Sequence, residues 1–108
     1  MRYCSLVWRG LPANAMAVYP FMVFKDPAQK NDRVLINHEK IHFYQQLELL
    51  ILPFYFFYLL NYLINLIRFK NHTDAYLNIC FEQEAFANDY KSGYLKNRKP
   101  YSWLSFWI

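Results

Sequence analysis

The stretch "NHEKIHFYQQ", residues 37–46, sets His38 and His42 four positions apart, with Glu39 directly after the first. Side chains four apart on a helix lie one above the other on a single face. If the stretch is helical, both imidazoles reach one tetrahedral ion. Glu39 then sits about 100° further round the helix, beside the ion and off the ligand line. That is the place of a general base for an ion-activated water. The same five letters also occur by chance in solvated helices, so the flanking segments have to supply the context.

Upstream, "KDPAQKND" (25–32) is a polar turn, and Asp32 is placed to cap a helix. That helix is expected over 33–52, with Leu35, Ile41, Leu47, Leu50 and Ile51 as its apolar recurrence, and Pro53 stops or kinks it. "FYFFYLLNYLINLI" (54–67) is apolar nearly all round and predicts a second helix over 54–70, ending at Arg68 and Lys70. "KNHTDAY" restarts the chain with Thr73 or Asp74 as cap, and a third helix covers 74–92, ending near Gly93. In the tail, 93–108, Trp103, Phe106 and Trp107 recur at i, i+3, i+4 among basic residues, which suits a terminal helix docking its aromatic face. Residues 1–32 form a β/loop segment. Within it "MAVYPFMVF" (16–24) reads as a strand that Pro20 confines to an edge or bulge. The fold class expected is mainly α with a small β element (α+β). It would be a single domain of three to four helices behind an N-terminal strand or hairpin.

A chain of 108 residues is one small domain. It is 56% hydrophobic and 21% aromatic, and two glycines and five prolines leave little material for flexible loops. A net charge of +4 suits an anionic surface or an acidic partner and is too weak to argue nucleic-acid binding. Cys4 and Cys80 are the only cysteines, neither lies in a CxxC knuckle, and they read as a reduced cytoplasmic pair. Arg9, Gly10 and Pro12 interrupt the first twenty residues, which are not read as a signal peptide. Residues 49–67 are the one candidate membrane segment, with a core helix turning back at Pro53 as the alternative.

A catalytic zinc site needs a third protein ligand and leaves the fourth position to water. The pattern HExxHxxGxxH is absent, since Gln45 and Glu48 stand at its glycine and histidine positions. His72 is available in a loop. "FEQEAFAND" (81–89) offers Glu82 and Glu84, which lie about 200° apart on a helix, so only one of them can face a metal. Periodicity does not choose between them.

HEKIH followed by Gln83-Glu84-Ala85-Phe86-Ala87-Asn88 resembles the gluzincin class of zinc metallopeptidases. In that class the third ligand is a glutamate on a later helix, within patterns such as N-E-x-x-S-D, N-E-G-F-A or E-x-x-A-D. The length is similar to that of the minimal, hundred-residue gluzincins, although the matching positions are only 38–42 and 83–88. The resemblance implies a minimal zincin-like domain with Zn2+ on His38, His42 and Glu84, and Glu82 as the alternative ligand. It implies Glu39 as general base in the hydrolysis of a peptide or protein substrate. Asn88 stands where an acid would support a ligand histidine, and Asp89 is the neighbouring substitute. Tyr90 and Tyr94, with Arg98 and Tyr101 beyond them, are the candidates for an oxyanion donor. The strand 16–24 would lie over the motif helix and pair with an extended substrate, and Gln46 would reach the site from one turn beyond His42.

A single bilayer crossing by 49–67 would part His42 from Glu84 by some 30 Å, so that reading and a shared zinc exclude each other. A turn at Pro53 reconciles them, either inside a core or as a shallow element at a membrane surface. The rival reading is a non-catalytic membrane-associated or interaction protein. Its HEKIH would be incidental or would hold a structural metal, with His72 or Glu82 as a further ligand.

Overall fold

The computed structural model describes residues 3–107. They form a mainly helical α+β domain whose small sheet comes first. Strands β1 (Cys4–Val7), β2 (Ala15–Val18) and β3 (Phe21–Phe24) lie in the order β1-β3-β2. β3 pairs parallel with β1, Cys4 opposite Phe21 and Val7 opposite Phe24. It pairs antiparallel with β2, Ala15 opposite Phe24 and Val18 opposite Phe21. The segment expected as one strand over 16–24 is therefore a hairpin that turns at Tyr19–Pro20, and β1 is an additional strand that its short, exposed sequence does not announce. Side chains alternate across the pleat, which sends Met22 and Phe24 inward to full burial while Phe21 stays outside.

After a short 3-10 turn (Pro27–Asn31), helix α1 (Arg33–Leu49) starts where Asp32 Oδ1 accepts the Leu35 amide at 3.1 Å. This satisfies one of the four unpaired N–H groups of the first turn. The corner after α1 is Leu50 and not Pro53. Leu50 takes φ 63 and ψ 145, a region a leucine rarely occupies. α2 (Ile51–Phe69) then holds Pro53 in its first turn, where a missing N–H costs nothing because no intrahelical acceptor exists there.

The helix expected over 74–92 is two helices, α3 (His72–Leu77) and α4 (Cys80–Asn88). Asn71 Oδ1 caps α3 by accepting the Asp74 amide at 2.9 Å. The break follows from two asparagines. The Asn78 side chain donates back to Asp74 O at 2.8 Å, closing α3. Asn61 Oδ1, from α2, accepts the Cys80 amide at 2.8 Å and so opens α4. Gly93 precedes a one-turn helix α5 (Tyr94–Asn97), and the tail closes in a 3-10 turn, Ser102–Phe106.

Two apolar clusters result. Ala15, Ala17, Met22, Phe24 and Phe43 pack the sheet on α1. Phe54, Ile79, Cys80, Phe81 and Trp103 join α2, α4 and the tail, with the Phe81 and Trp103 ring centroids 5.0 Å apart. α1 contributes to both, through Phe43 on one side and Leu49 on the other. Cys4 is exposed, Cys80 is buried, and both are free thiols.

Candidate metal centre

α1 buries His38, Glu39, Ile41, His42, Phe43, Gln45 and Gln46, a face that is mostly polar. Burying polar groups is unfavourable unless they find partners, and the partners here define a site. His38 Nε2 lies 2.9 Å and His42 Nε2 3.0 Å from the same oxygen, Glu82 Oε1. Both rings are buried and stand edge to face at 4.9 Å between centroids. The two nitrogens and the carboxylate oxygen all lie within 4.8 Å of one another.

The tautomers follow from what stands behind the rings. His38 Nδ1 is 3.0 Å from Asp89 Oδ2, which can only accept, so this nitrogen carries the hydrogen. His42 Nδ1 is 2.7 Å from Gln45 Oε1. The orientation of that amide is set by its Nε2, which donates to Phe81 O and to Glu84 Oε1, both at 3.0 Å. With the Nδ1 hydrogens directed at Asp89 and Gln45, Nε2 is the nitrogen each ring presents to the shared point. A carboxylate or amide oxygen behind each ligand ring is the usual support of a metal-binding histidine. Tetrahedral zinc at its ordinary bond lengths sets neighbouring ligand atoms about 3.3 Å apart, and each Nε2 to Glu82 Oε1 separation, 2.9 and 3.0 Å, is within a few tenths of an ångström of that.

Of the two carboxylates that the sequence offered, Glu84 and its alternative Glu82, it is Glu82 that meets both histidines. Glu84 is fully buried and already engaged. Arg98 Nε and Nη2 donate to it at 2.6 and 2.9 Å, and Tyr94 and Gln45 complete its shell. Arg98 in turn holds Glu48 through Nη1 and Nη2 at 2.7 and 3.0 Å. Tyr94 thus serves Glu84, Tyr90 is two-thirds exposed, and neither lines the site as an oxyanion donor would. Asn88 bonds the Glu84 carbonyl and Lys91 and touches neither histidine. Asp89, by contrast, is hydrogen-bonded to His38. His72 is exposed and pairs with Tyr62 at 2.9 Å. Among the described residues, three ligand side chains converge and no fourth joins them.

Charge in the site is strongly coupled. Burial pulls the His42 imidazolium down, but the Glu82 charge and hydrogen bond, with Glu39 and Gln45, outweigh it and raise its pKa to about 9. Burial pushes Glu82 up, yet the two histidines hold it well below the usual carboxylate range. A proton held between the His42 imidazole and the Glu82 carboxylate therefore sits where the three side chains meet. Burial raises Glu39, further lifted by the Glu82 charge and opposed by the histidines and the Ala17 amide. Tyr58 donates to the other Glu82 oxygen, and burial, with that same charge, keeps its phenol protonated.

These groups open into a cleft of about 220 Å³. One wall is β2, through Ala15, Met16 and Ala17, and another is α2, through Phe54, Tyr55 and Tyr58. Gln46 fastens β2 to α1, donating to Ala17 O at 2.8 Å and accepting the Tyr19 amide at 2.8 Å. Tyr58 was not legible as a site residue. It is one of the chain's ten tyrosines and lies in an aromatic run, and only the packing of α2 on α4 selects it. Compared with known protein families, with curated proteins and with solved structures, the chain finds no match.

Proposed function

We propose that the chain is a zinc-dependent hydrolase of peptide bonds, with zinc held by His38, His42 and Glu82 and Glu39 acting as general base. The observation that carries the reading is the convergence of His38 Nε2, His42 Nε2 and Glu82 Oε1 at the floor of a cleft, with a buried glutamate of raised pKa beside them. Zinc, when bound, supplies the charge that makes a coordinated water acidic near neutrality. Glu39 is the nearby carboxylate free of the ligand set, and burial raises its pKa, which suits a group that takes up and returns a proton. Asp89 and Gln45 keep the histidines in the ligating tautomer, and Tyr58 holds the second oxygen of Glu82. A set of three protein ligands favours a catalytic over a structural centre, since a structural zinc is usually closed by four. Strand β2 along the cleft supports an extended peptide as substrate, because such a chain adds to a strand edge.

Zinc per chain is the first measurement, in the wild type, Glu82→Ala and the near-isosteric Glu84→Gln. About one equivalent is expected in the wild type and Glu84→Gln, with loss in Glu82→Ala. Glu39→Gln should keep its zinc and lose cleavage of a quenched peptide library by about a hundredfold or more. A wild type that binds no zinc would sink the reading. One that binds zinc and cleaves nothing would leave a structural metal in a non-catalytic protein.

A further inference from the structure

Helix α2 is built inside out. In its middle and C-terminal part the side chains buried against the protein are Asn61 and Asn65, whereas most of its leucines, isoleucines and phenylalanines are exposed and Leu66 and Phe69 are half-buried. Leu52 is 81%, Phe56 63% and Ile67 77% exposed, and Leu59 and Leu63 complete the same stripe. With Phe57 and Ile64 at its margin, the bare apolar sector spans roughly 160° of the helix. No charged residue occurs between Glu48 and Arg68. A helix that hides amides and shows hydrocarbon reverses the pattern of a water-facing helix.

We propose that this face of α2 docks on the surface of a lipid bilayer, with the helix axis lying along it. Two observations select lipid over a second copy of the chain, and a third sets the orientation of the helix. The sector is wider than the narrow seam one partner helix covers. Arg68 and Lys70 stand at the end of the apolar face on a chain of net charge +4, which complements anionic headgroups and repels another copy. The protein also flanks the helix along its whole length. The Phe54 ring lies 4.8 Å from Phe81, Asn61 accepts the Cys80 amide, and Asn65 donates to Ala75 O at 3.1 Å. A perpendicular crossing would drag α3, with exposed His72 and Asp74, into hydrocarbon at high cost. Lying flat immerses only the bare sector, as interfacial helices do.

The inference is independent of the zinc reading, and its test needs no metal. The purified chain is sedimented with preformed vesicles of phosphatidylcholine and phosphatidylglycerol. The wild type is expected in the vesicle pellet. Leu59→Glu/Leu63→Glu, at exposed positions and with unchanged circular dichroism, should partition at least about tenfold less. If the double variant does not fold, Phe56→Glu, a single charge on the same face, is read instead and should show the same loss. A wild type that stays in the supernatant overturns the proposal. So does a variant, folded by the same criterion, that pellets as the wild type does. A vesicle-indifferent wild type that forms a dimer abolished by these substitutions would assign the face to self-association.

Discussion

At the scale of single residues, Asp89 and Gln45 decide which nitrogen each histidine offers. Asp89 accepts from His38 Nδ1 at 3.0 Å, so Asp89→Ala removes the acceptor that fixes ring and tautomer. Chelator competition should then show zinc binding about 10- to 100-fold weaker, with one site per chain retained. An unchanged affinity would leave Asp89 only a packing role. Glu84 presents the opposite situation, a carboxylate absorbed by stability. Burial raises its pKa, but the hydrogen bonds from Arg98, Gln45 and Tyr94 outweigh this and hold it below the ordinary value. A lowered folded-state pKa stabilises above the unfolded value, near 4.3, and that contribution is lost as pH falls through the folded pKa. Arg98→Met leaves Glu84 buried and uncompensated, so urea unfolding at pH 7 should show a loss of about 3–5 kcal/mol. The deficit should shrink at pH 4, as Glu84 takes up a proton in the variant. Equal deficits at both pH values would mean that the aliphatic packing of Arg98, not its charge, is what matters.

Among the elements, the break between α3 and α4 has the largest consequence. Asn61 reaches across from α2 to take the Cys80 amide, and both groups are buried. Asn61→Ala leaves that donor without a partner and should destabilise the fold by about 1–3 kcal/mol, measured by chemical denaturation. A loss within a few tenths would show that α4 starts there without help. The start of α1 was legible, because Asp32 stands three positions before Leu35, where the apolar periodicity begins, and capping is local chemistry. The end of α1 was not. Proline suggested a stop at 53, but the first turn of a helix tolerates proline, and the corner fell on Leu50 with a positive φ. The hairpin over 15–24 was legible as β, whereas β1 depends on a parallel partner that its own sequence does not encode.

In the whole molecule, the proposed ligands come from α1 and α4, with His38 and Glu82 44 positions apart, so binding would tie the sheet-bearing half to the α2–α4 half. A ligand that binds only the folded chain stabilises it in proportion to its excess. Zinc at about a hundred times its dissociation constant should add roughly 2.7 kcal/mol, seen as a rise in the unfolding midpoint that is absent in His38→Ala. Features that depend on neighbours along the chain were readable from its residues: a mixed α+β class, a helix begun at Asp32, and two histidines and a glutamate phased on it by 3.6-residue geometry. Which later carboxylate meets them, what holds Glu84 and which face of α2 is bare follow from how the helices pack. The phase of α4 is set by where that helix starts. The start is fixed by Asn61 from another helix, and a contact of that kind leaves no periodicity in the segment it controls.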